Sequence, residues 1–410
     1  MLLTNFKLTL RFLLFISWNS QLLEMVERRI DYVDESNINY NTDDFSTYLG
    51  SGGFAELFRG TLFLKCHNRI GAAVASDTLT SIPVALKFHK RDRQELGYAA
   101  EISKVEHLLR EADMLSMCSA CPYIVHLYGT LNCSETCLIL ELGICSLYQL
   151  LYQRDSKVSI SRIELEDRLN FKLTVVADCI QGLEFLHSLN VSHNDIKSDN
   201  LMLFPDGYFK LIDLGLAKPI EKIIITKRNK NNIAVSAFEP AVHCKGNPSY
   251  QAPEMFQNPP ICSAASDVYG FVVLINEILT EVPPMHDRCS TALHPLQVCG
   301  GARPRLLQQA DLQQYAPYLA ENMDIQEVTK RLQHLIRTGW DPQMKSRPHS
   351  KAMIASLTKL LTAVGGEFRP YDMISECFHE QSRPIASNTA ACDRPKTPHP
   401  PSPTSVVVIH

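Results

Sequence analysis

The sequence predicts an α+β protein in two lobes: a sheet with one helix, then a larger, mainly helical part. Three observations lead there. Strand-like apolar runs separated by turn residues fill the chain from 45 to 142. Apolar residues spaced three or four apart dominate from residue 165. The two classes follow one another instead of alternating, which is the α+β pattern.

The elements follow in chain order. "FSTYLGSGGFAELFRGTLFL" (45–64) reads as two strands around a glycine-rich turn. Residues 65–82 are small and polar and read as a long loop, and "PVALKFHK" (83–90) as a short buried strand. Residues 97–117 carry a helical stripe of Val105, Leu108, Leu109, Ala112 and Leu115. Strand runs follow at 123–131 and 137–142. Leu165, Leu169, Leu173, Val176, Ile180, Leu183 and Leu186 make 165–189 a long amphipathic helix. Short strands flank loops from 191 to 218, and 219–248 looks irregular. "SDVYGFVVLINEILT" (266–280) is apolar nearly all round, hence a buried helix, with Ser266 as its expected cap. Helical patterns continue to about 364, and from 380 Ser, Pro and Thr dominate a tail expected to be disordered.

Composition narrows the function classes. The net charge of −4 argues against a general nucleic-acid binder. Thirteen cysteines without regular spacing read as reduced thiols, hence a cytoplasmic protein. Cys118, Cys121, Cys133 and Cys137 have zinc-like spacing. The strand expected between the pairs would hold them roughly 25 Å apart, too far for one ion. No segment is long enough to span a membrane. "FLLFISW" (12–18), after Lys7 and Arg11, faintly resembles a signal peptide, but the run is at the lower limit and no clear cleavage site follows. A disordered arm, or an over-extended start with Met25 as the first residue, is the expectation.

Several residues invite a chemical reading. "GSGGFAE" allows backbone N–H groups to approach a phosphate, although any hairpin can need glycines. Lys87, in the apolar "VALK", wants an anionic partner because a buried unpaired ammonium is costly, and Glu111 on the next helix can supply it. Asp213 sits at a strand end before a glycine, and with an amide such as Asn200 it suits a hard cation like Mg²⁺. Asp195, in "VSHNDIKSDNLML", can accept a proton from a hydroxyl. Each taken singly is equally an ordinary turn or cap residue.

Their order is what carries weight. The glycine loop, "VALK", "LLREADML", "HNDIKSDN", "DLG", "APE" (252–254), "DVYGF" (267–271) and "RP" (347–348) occur in sequence at plausible spacings. Over roughly 45–364 the chain resembles a eukaryotic protein kinase. The resemblance implies a bilobal protein kinase fold with a small N-lobe of antiparallel sheet and one helix (45–143). A larger, mainly helical C-lobe (144–365) follows, between an extension (1–44) and a Pro/Ser-rich tail (366–410). It further implies ATP and Mg²⁺ as cofactors and protein substrates, with no nucleic acid or membrane. Gly50, Ser51, Gly52, Gly53 and the backbone near Ala55 would cover the phosphates. Leu57 and Ala85 would sandwich the adenine. Leu140 would be the gatekeeper, and Glu141, Leu142 and Gly143 the hinge. Lys87, paired with Glu111, would bind the α- and β-phosphates. Asp195 would orient and deprotonate the substrate hydroxyl, Lys197 would stabilise the transferred group, and Asn200 and Asp213 would hold Mg²⁺. Glu254 and Arg347 would form a structural ion pair, and Asp267 would tie the buried helix to the catalytic loop.

"KSDN" resembles the serine/threonine class, and "GWDPQMKSRP" (339–348) the tyrosine-kinase-like branch. Four positions depart from the family pattern: Ala55 for a glycine, Leu214 for Phe, Asn247 for Thr and Asn194 for Arg. None removes a group that handles ATP, Mg²⁺ or the proton. The competing readings are a pseudokinase scaffold and a small-molecule kinase. The complete set of Lys87, Glu111, Asp195, Lys197, Asn200 and Asp213 weighs against the first, and "APE" with its long preceding segment against the second. That segment carries a basic run, "KIIITKRNKNN" (222–232), read as a solvated loop, with Thr226, Ser236, Ser249 and Tyr250 as candidate phosphate acceptors. Thr397-Pro398 and Ser402-Pro403 in the tail are candidate sites for a proline-directed kinase.

Overall fold

The computed structural model describes residues 32–52, 55–66, 69–70, 73–74, 78–90, 98–132, 136–153, 159–220, 246–286, 291–319 and 324–363. The first part is an antiparallel sheet built from β1 (Ile38–Tyr40), β2 (Tyr48–Ser51), β3 (Ala55–Cys66), β4 (Thr78–His89), β5 (Leu127–Asn132) and β6 (Thr136–Glu141). The strand order is β1-β3-β4-β6-β5, with β2 also on β3. One helix, α1 (Tyr98–Met117), lies between β4 and β5 in sequence.

Two expectations need correction here. Residues 65–82 are not one long loop: β3 runs to Cys66 and β4 starts at Thr78, pairing Cys66 with Thr78 and Leu62 with Ile82. Alternating Thr78, Thr80 and Ile82 supply β-branched side chains that suit a strand. Pro83 is tolerated inside β4 because the ladder to β6 begins only at Val84. Residues 32–44 also do more than extend the chain: β1 pairs with β3, and the Val33 N–H donates to the Thr130 carbonyl. Residues 1–31, the basic run and the C-terminal tail lie outside the described residues.

Strand alternation sorts β4 between two cores. Val84, Leu86 and Phe88 join Ile38, Phe58, Leu62, Leu131, Cys137 and Ile139 on one face of the sheet. Ala85 faces the other way, into the main core with Leu108, Ala112 and Leu115 of α1 and Leu138 and Leu140 of β6. Of the stripe expected on α1, Leu108, Ala112 and Leu115 are buried in this core and Leu109 packs against it.

The second part is mainly helical. It contains α2 (Leu147–Tyr152), α3 (Leu165–Ser188), α4 (Ala264–Thr280), α5 (His294–Cys299), α6 (Gln309–Leu312), α7 (Ile325–Gly339) and α8 (Ser350–Ala363). A hairpin of β7 (Leu201–Leu203) and β8 (Phe209–Leu211) follows α3, with Leu201 opposite Leu211. Helix α4 is the centre of this part, and every residue from Ser266 to Leu279 is buried. Its cap is Ser263, whose side chain accepts from the Ser266 N–H, so Ser266 belongs to the first turn. Among the described residues no helix is long and apolar enough to cross a membrane.

Candidate functional site

Sheet register assembles the first half of the site. Leu57 lies opposite Lys87, Ala85 opposite Leu140, and Lys87 opposite Leu138. Opposed residues share a face, so Leu57, Ala85, Lys87 and Leu140 all point to the side of the main core. The Lys87 ammonium donates to both Glu111 oxygens at 2.7 and 2.8 Å and to Asp213 Oδ1 at 2.7 Å. Burial by itself would lower the Lys87 pKa, but the Glu111 and Asp213 carboxylates more than reverse it, and the pKa is raised. Burial also opposes ionisation of Asp213, yet the Lys87 charge outweighs it and takes its carboxyl down to about 2. Glu111 is raised, because its burial is the largest influence.

The glycine turn sits at the end of β2. Gly50 has φ +146°, a conformation that side-chain-bearing residues rarely adopt, and a Cβ at Gly50 or Gly52 would meet nothing within 4 Å. Ser51 is exposed beside them. Gly53 lies outside the described residues.

The second half of the site hangs on α4 and the β7–β8 hairpin. Asn200 immediately precedes β7 and Asp213 lies two residues beyond β8, and the Ile212 N–H donates to the Asn200 carbonyl at 3.0 Å. Pairing of the two strands therefore brings the amide and the carboxylate residue together. Asp195 Oδ2 accepts from the Lys197 ammonium and from Asn200 Nδ2, both at 2.7 Å. Asn200 Nδ2 also donates to the Asp195 carbonyl at 2.9 Å. Asp213 is left-handed, at φ 62°, and its Oδ1 accepts from the Gly215 N–H at 3.4 Å.

Asp267 of α4 holds the backbone that leads into Asp195. Its two oxygens accept from the His193 and Asn194 N–H groups, each at 2.8 Å. Asn194 occupies the left-handed region at φ 65°, which asparagine tolerates better than most residues. Its amide donates to the Leu216 carbonyl at 3.0 Å and the Ser192 carbonyl at 3.3 Å. On the far side, the Asn247 N–H reaches Asp195 Oδ1 at 3.4 Å, while its side chain accepts from the Ser249 N–H. Gly246 is required beside it: its φ is +135°, and a Cβ would lie 3.0 Å from Asp195 Oδ1. A cavity next to Asp195 is lined by Asn247, Tyr250, Gln251, Met255 and Gly270.

Some expected residues are placed differently. The Glu141 carboxylate is turned onto Lys210, with both oxygens at 2.8 Å from the ammonium, and its N–H donates to the His126 carbonyl at 2.9 Å. Leu142 is buried in the main core. Ser249 and Tyr250, candidate phosphate acceptors by sequence, are both buried. The Glu254–Arg347 pair is bidentate and buried, at 2.6 and 2.9 Å. Sequence reasoning missed a cluster under the loop that carries Asp195, where Glu277 accepts from the hydroxyls of Tyr152, Ser198 and Tyr250. The signal was present: Glu277 is a charged residue in the otherwise largely apolar second half of α4.

The comparisons agree with this geometry. Over 211 residues the chain is 31% identical to the serine/threonine-protein kinase TOS3 of Saccharomyces cerevisiae, covering 49% of this chain and 36% of that protein. It is 23% identical over 332 residues to the proto-oncogene serine/threonine-protein kinase mos of Sus scrofa, covering 77% and 80%. It is 22% identical over 366 residues to the serine/threonine-protein kinase TNNI3K of Mus musculus, covering 85% and 36%. The matched stretch thus spans about a third of the yeast and mouse proteins. The family model for the protein kinase domain matches residues 71–357, and the chain, with its sheet, its buried Lys87–Glu111 pair and its loop around Asp195, belongs to the protein kinase domain family.

Proposed function

We propose that the protein transfers the γ-phosphate of Mg·ATP to serine or threonine hydroxyls of protein substrates. The observation that carries this is the junction in which Lys87 joins the buried Glu111 of α1 to the half-exposed Asp213 beyond β8. It sets a fixed positive charge beside a carboxylate that is held ionised. Such a junction is suited to gripping phosphate, because Glu111 keeps the ammonium in place while the donor now on Asp213 can turn to an arriving anion. The open space at Gly50 and Gly52 supports a phosphate lying close to the backbone. The donor set fits a divalent cation too: Asp213 supplies an anionic oxygen and Asn200 an amide oxygen, both hard ligands. Mg²⁺ bound there neutralises charge on the phosphates.

The chain's own residues account for the remaining work. Asp195, with Oδ2 engaged by Lys197 and Asn200, is oriented to receive the proton of an incoming hydroxyl. Lys197 stands beside it as the cation for the transferred group. Asp267 and Gly246 fix the backbone on the two sides of that carboxylate. The free thiols among the described residues, most of them buried, support a cytoplasmic setting.

The test is incubation of purified protein with labelled ATP, Mg²⁺ and generic Ser/Thr peptides, beside Asp195→Ala. Label in peptide or protein from wild type alone supports the proposal. Equal silence of both, with ATP still bound, returns the protein to a scaffold role.

A further inference from the structure

We propose that Ser350 and Glu184 are positioning residues for the catalytic loop, acting on it through His187 and Asp267; this rests on the catalytic reading above. The four side chains form one continuous chain of hydrogen bonds across three helices. Asp267 Oδ2, on α4, is 3.0 Å from His187 Nε2, on α3. The other ring nitrogen, Nδ1, is 3.0 Å from the hydroxyl of Ser350, the first residue of α8. That hydroxyl in turn donates to Glu184 Oε2, one turn before His187 on α3. Three of the four are shielded from water, Ser350 at 3% exposed and the His187 and Asp267 side chains at 7% and 1%, while Glu184 is partly buried.

The end that matters is Asp267. The same Oδ2 that meets the imidazole also accepts from the His193 N–H, while Oδ1 accepts from the Asn194 N–H. Those two amides lie immediately before Asp195. A carboxylate with two backbone donors is still free to rock about its terminal torsion, which is broad. The imidazole removes that freedom, but only if the ring itself cannot turn. The single hydrogen of the Ser350 hydroxyl goes to Glu184, so Nδ1 donates to the hydroxyl oxygen while Nε2 donates to Asp267, and with a hydrogen on both nitrogens the ring is held from both sides. Buried polar chains of this kind rigidify when every member is satisfied and loosen when one is lost. The start of α8 is thereby built into the orientation of Asp195, although neither Ser350 nor Glu184 approaches the reacting groups.

The experiment compares wild type with Ser350→Ala, Ser350→Thr and, as a control at an exposed neighbouring position, Lys351→Ala. Two readouts are taken: steady-state kinetics, and amide hydrogen exchange at His193 and Asn194. Ser350→Ala is expected to lower kcat about three- to tenfold, the range a lost hydrogen bond gives, with KM for ATP within about twofold. Exchange at the two amides should quicken about tenfold or more. Ser350→Thr, which keeps the hydroxyl, should restore both readouts, and Lys351→Ala should move neither. Unchanged exchange in Ser350→Ala overturns the proposal, as does a rise in KM without a fall in kcat, or a failure of threonine to rescue. If wild type proves inactive, the catalytic reading fails, and the exchange readout still decides whether Ser350 orders the loop.

Discussion

Replacing Arg347 with methionine should be among the most damaging single changes to the helical part. The guanidinium is fully enclosed and makes four hydrogen bonds. Two go to Glu254, one to the Asp341 carbonyl at 2.8 Å, and one to the Ala265 carbonyl at 2.9 Å. It also lies over the Tyr269 ring at 5.1 Å. Methionine fills most of the volume, so cavity formation is the lesser effect. The larger cost is the Glu254 carboxylate, left buried without its cation, which is worth about 3–5 kcal/mol. At roughly 2 °C per kcal/mol for a domain of this size, the melting temperature should fall about 6–10 °C. The assay is urea unfolding followed by intrinsic fluorescence, with thermal scans alongside. The double variant Arg347→Met with Glu254→Met separates the causes, because it removes the stranded charge, and it should recover much of the loss. A single-variant loss below about 1 kcal/mol, or a double variant no better than the single, would refute the reasoning.

Burial pushes the carboxyls of Glu277 and Asp178 up to about 7. An acid with a raised folded pKa favours the folded state while protonated, so this stability is complete below about pH 4 and is lost as pH rises through 7, on the order of 3 kcal/mol per group. Urea midpoints should therefore fall between pH 5 and 8, and Glu277→Gln should flatten that slope; a midpoint that rises with pH contradicts it. Lys87→Met and Asp213→Asn should each reduce phosphotransfer by orders of magnitude, and a variant within tenfold of wild type would remove these residues from the mechanism. Lys87→Met also strands the buried Glu111 carboxylate and should lower the melting temperature, whereas Asp213→Asn leaves the Lys87–Glu111 pair in place and should lower it less. Asn194 carries no charge and its amide is already committed to the Leu216 and Ser192 carbonyls, so it cannot receive a phosphate as an arginine does. Phosphatase treatment should leave initial rates within tenfold, about 1.4 kcal/mol in barrier height; a larger drop reversed by rephosphorylation of the segment would sink that claim.

What was legible in the sequence were features with a period or an order. The stripe on α1 and the repeat along α3 announced helices because burial demands one face. The motif order placed Lys87, Glu111, Asp195 and Asp213 in one site because each keeps its place relative to strands and turns. The first five residues of β4, 78–82, were missed and β3 was read two residues short, since Thr78, Thr80 and Ser81 look like a loop until a partner strand satisfies their backbone. Contacts between distant residues outside the motif set were silent. Nothing local to Glu141 reveals Lys210, nothing near Ser350 reveals His187, and Gly246 looks like any turn glycine until Asp195 is found beside it.

The two-sided burial of β4 acts as a reading frame. Even positions from 84 to 88 belong to one apolar cluster and odd positions to the face that carries Lys87. A deletion or insertion of one residue inside this strand exchanges the two sets, moving a lysine into a hydrocarbon interior and withdrawing it from Glu111 and Asp213 together. The connection between Cys66 and Thr78 has no such constraint, because length added there leaves the parity of β4 intact. Length added between Cys66 and Thr78 therefore leaves Lys87 on its face, whereas a one-residue shift at the base of the hairpin does not.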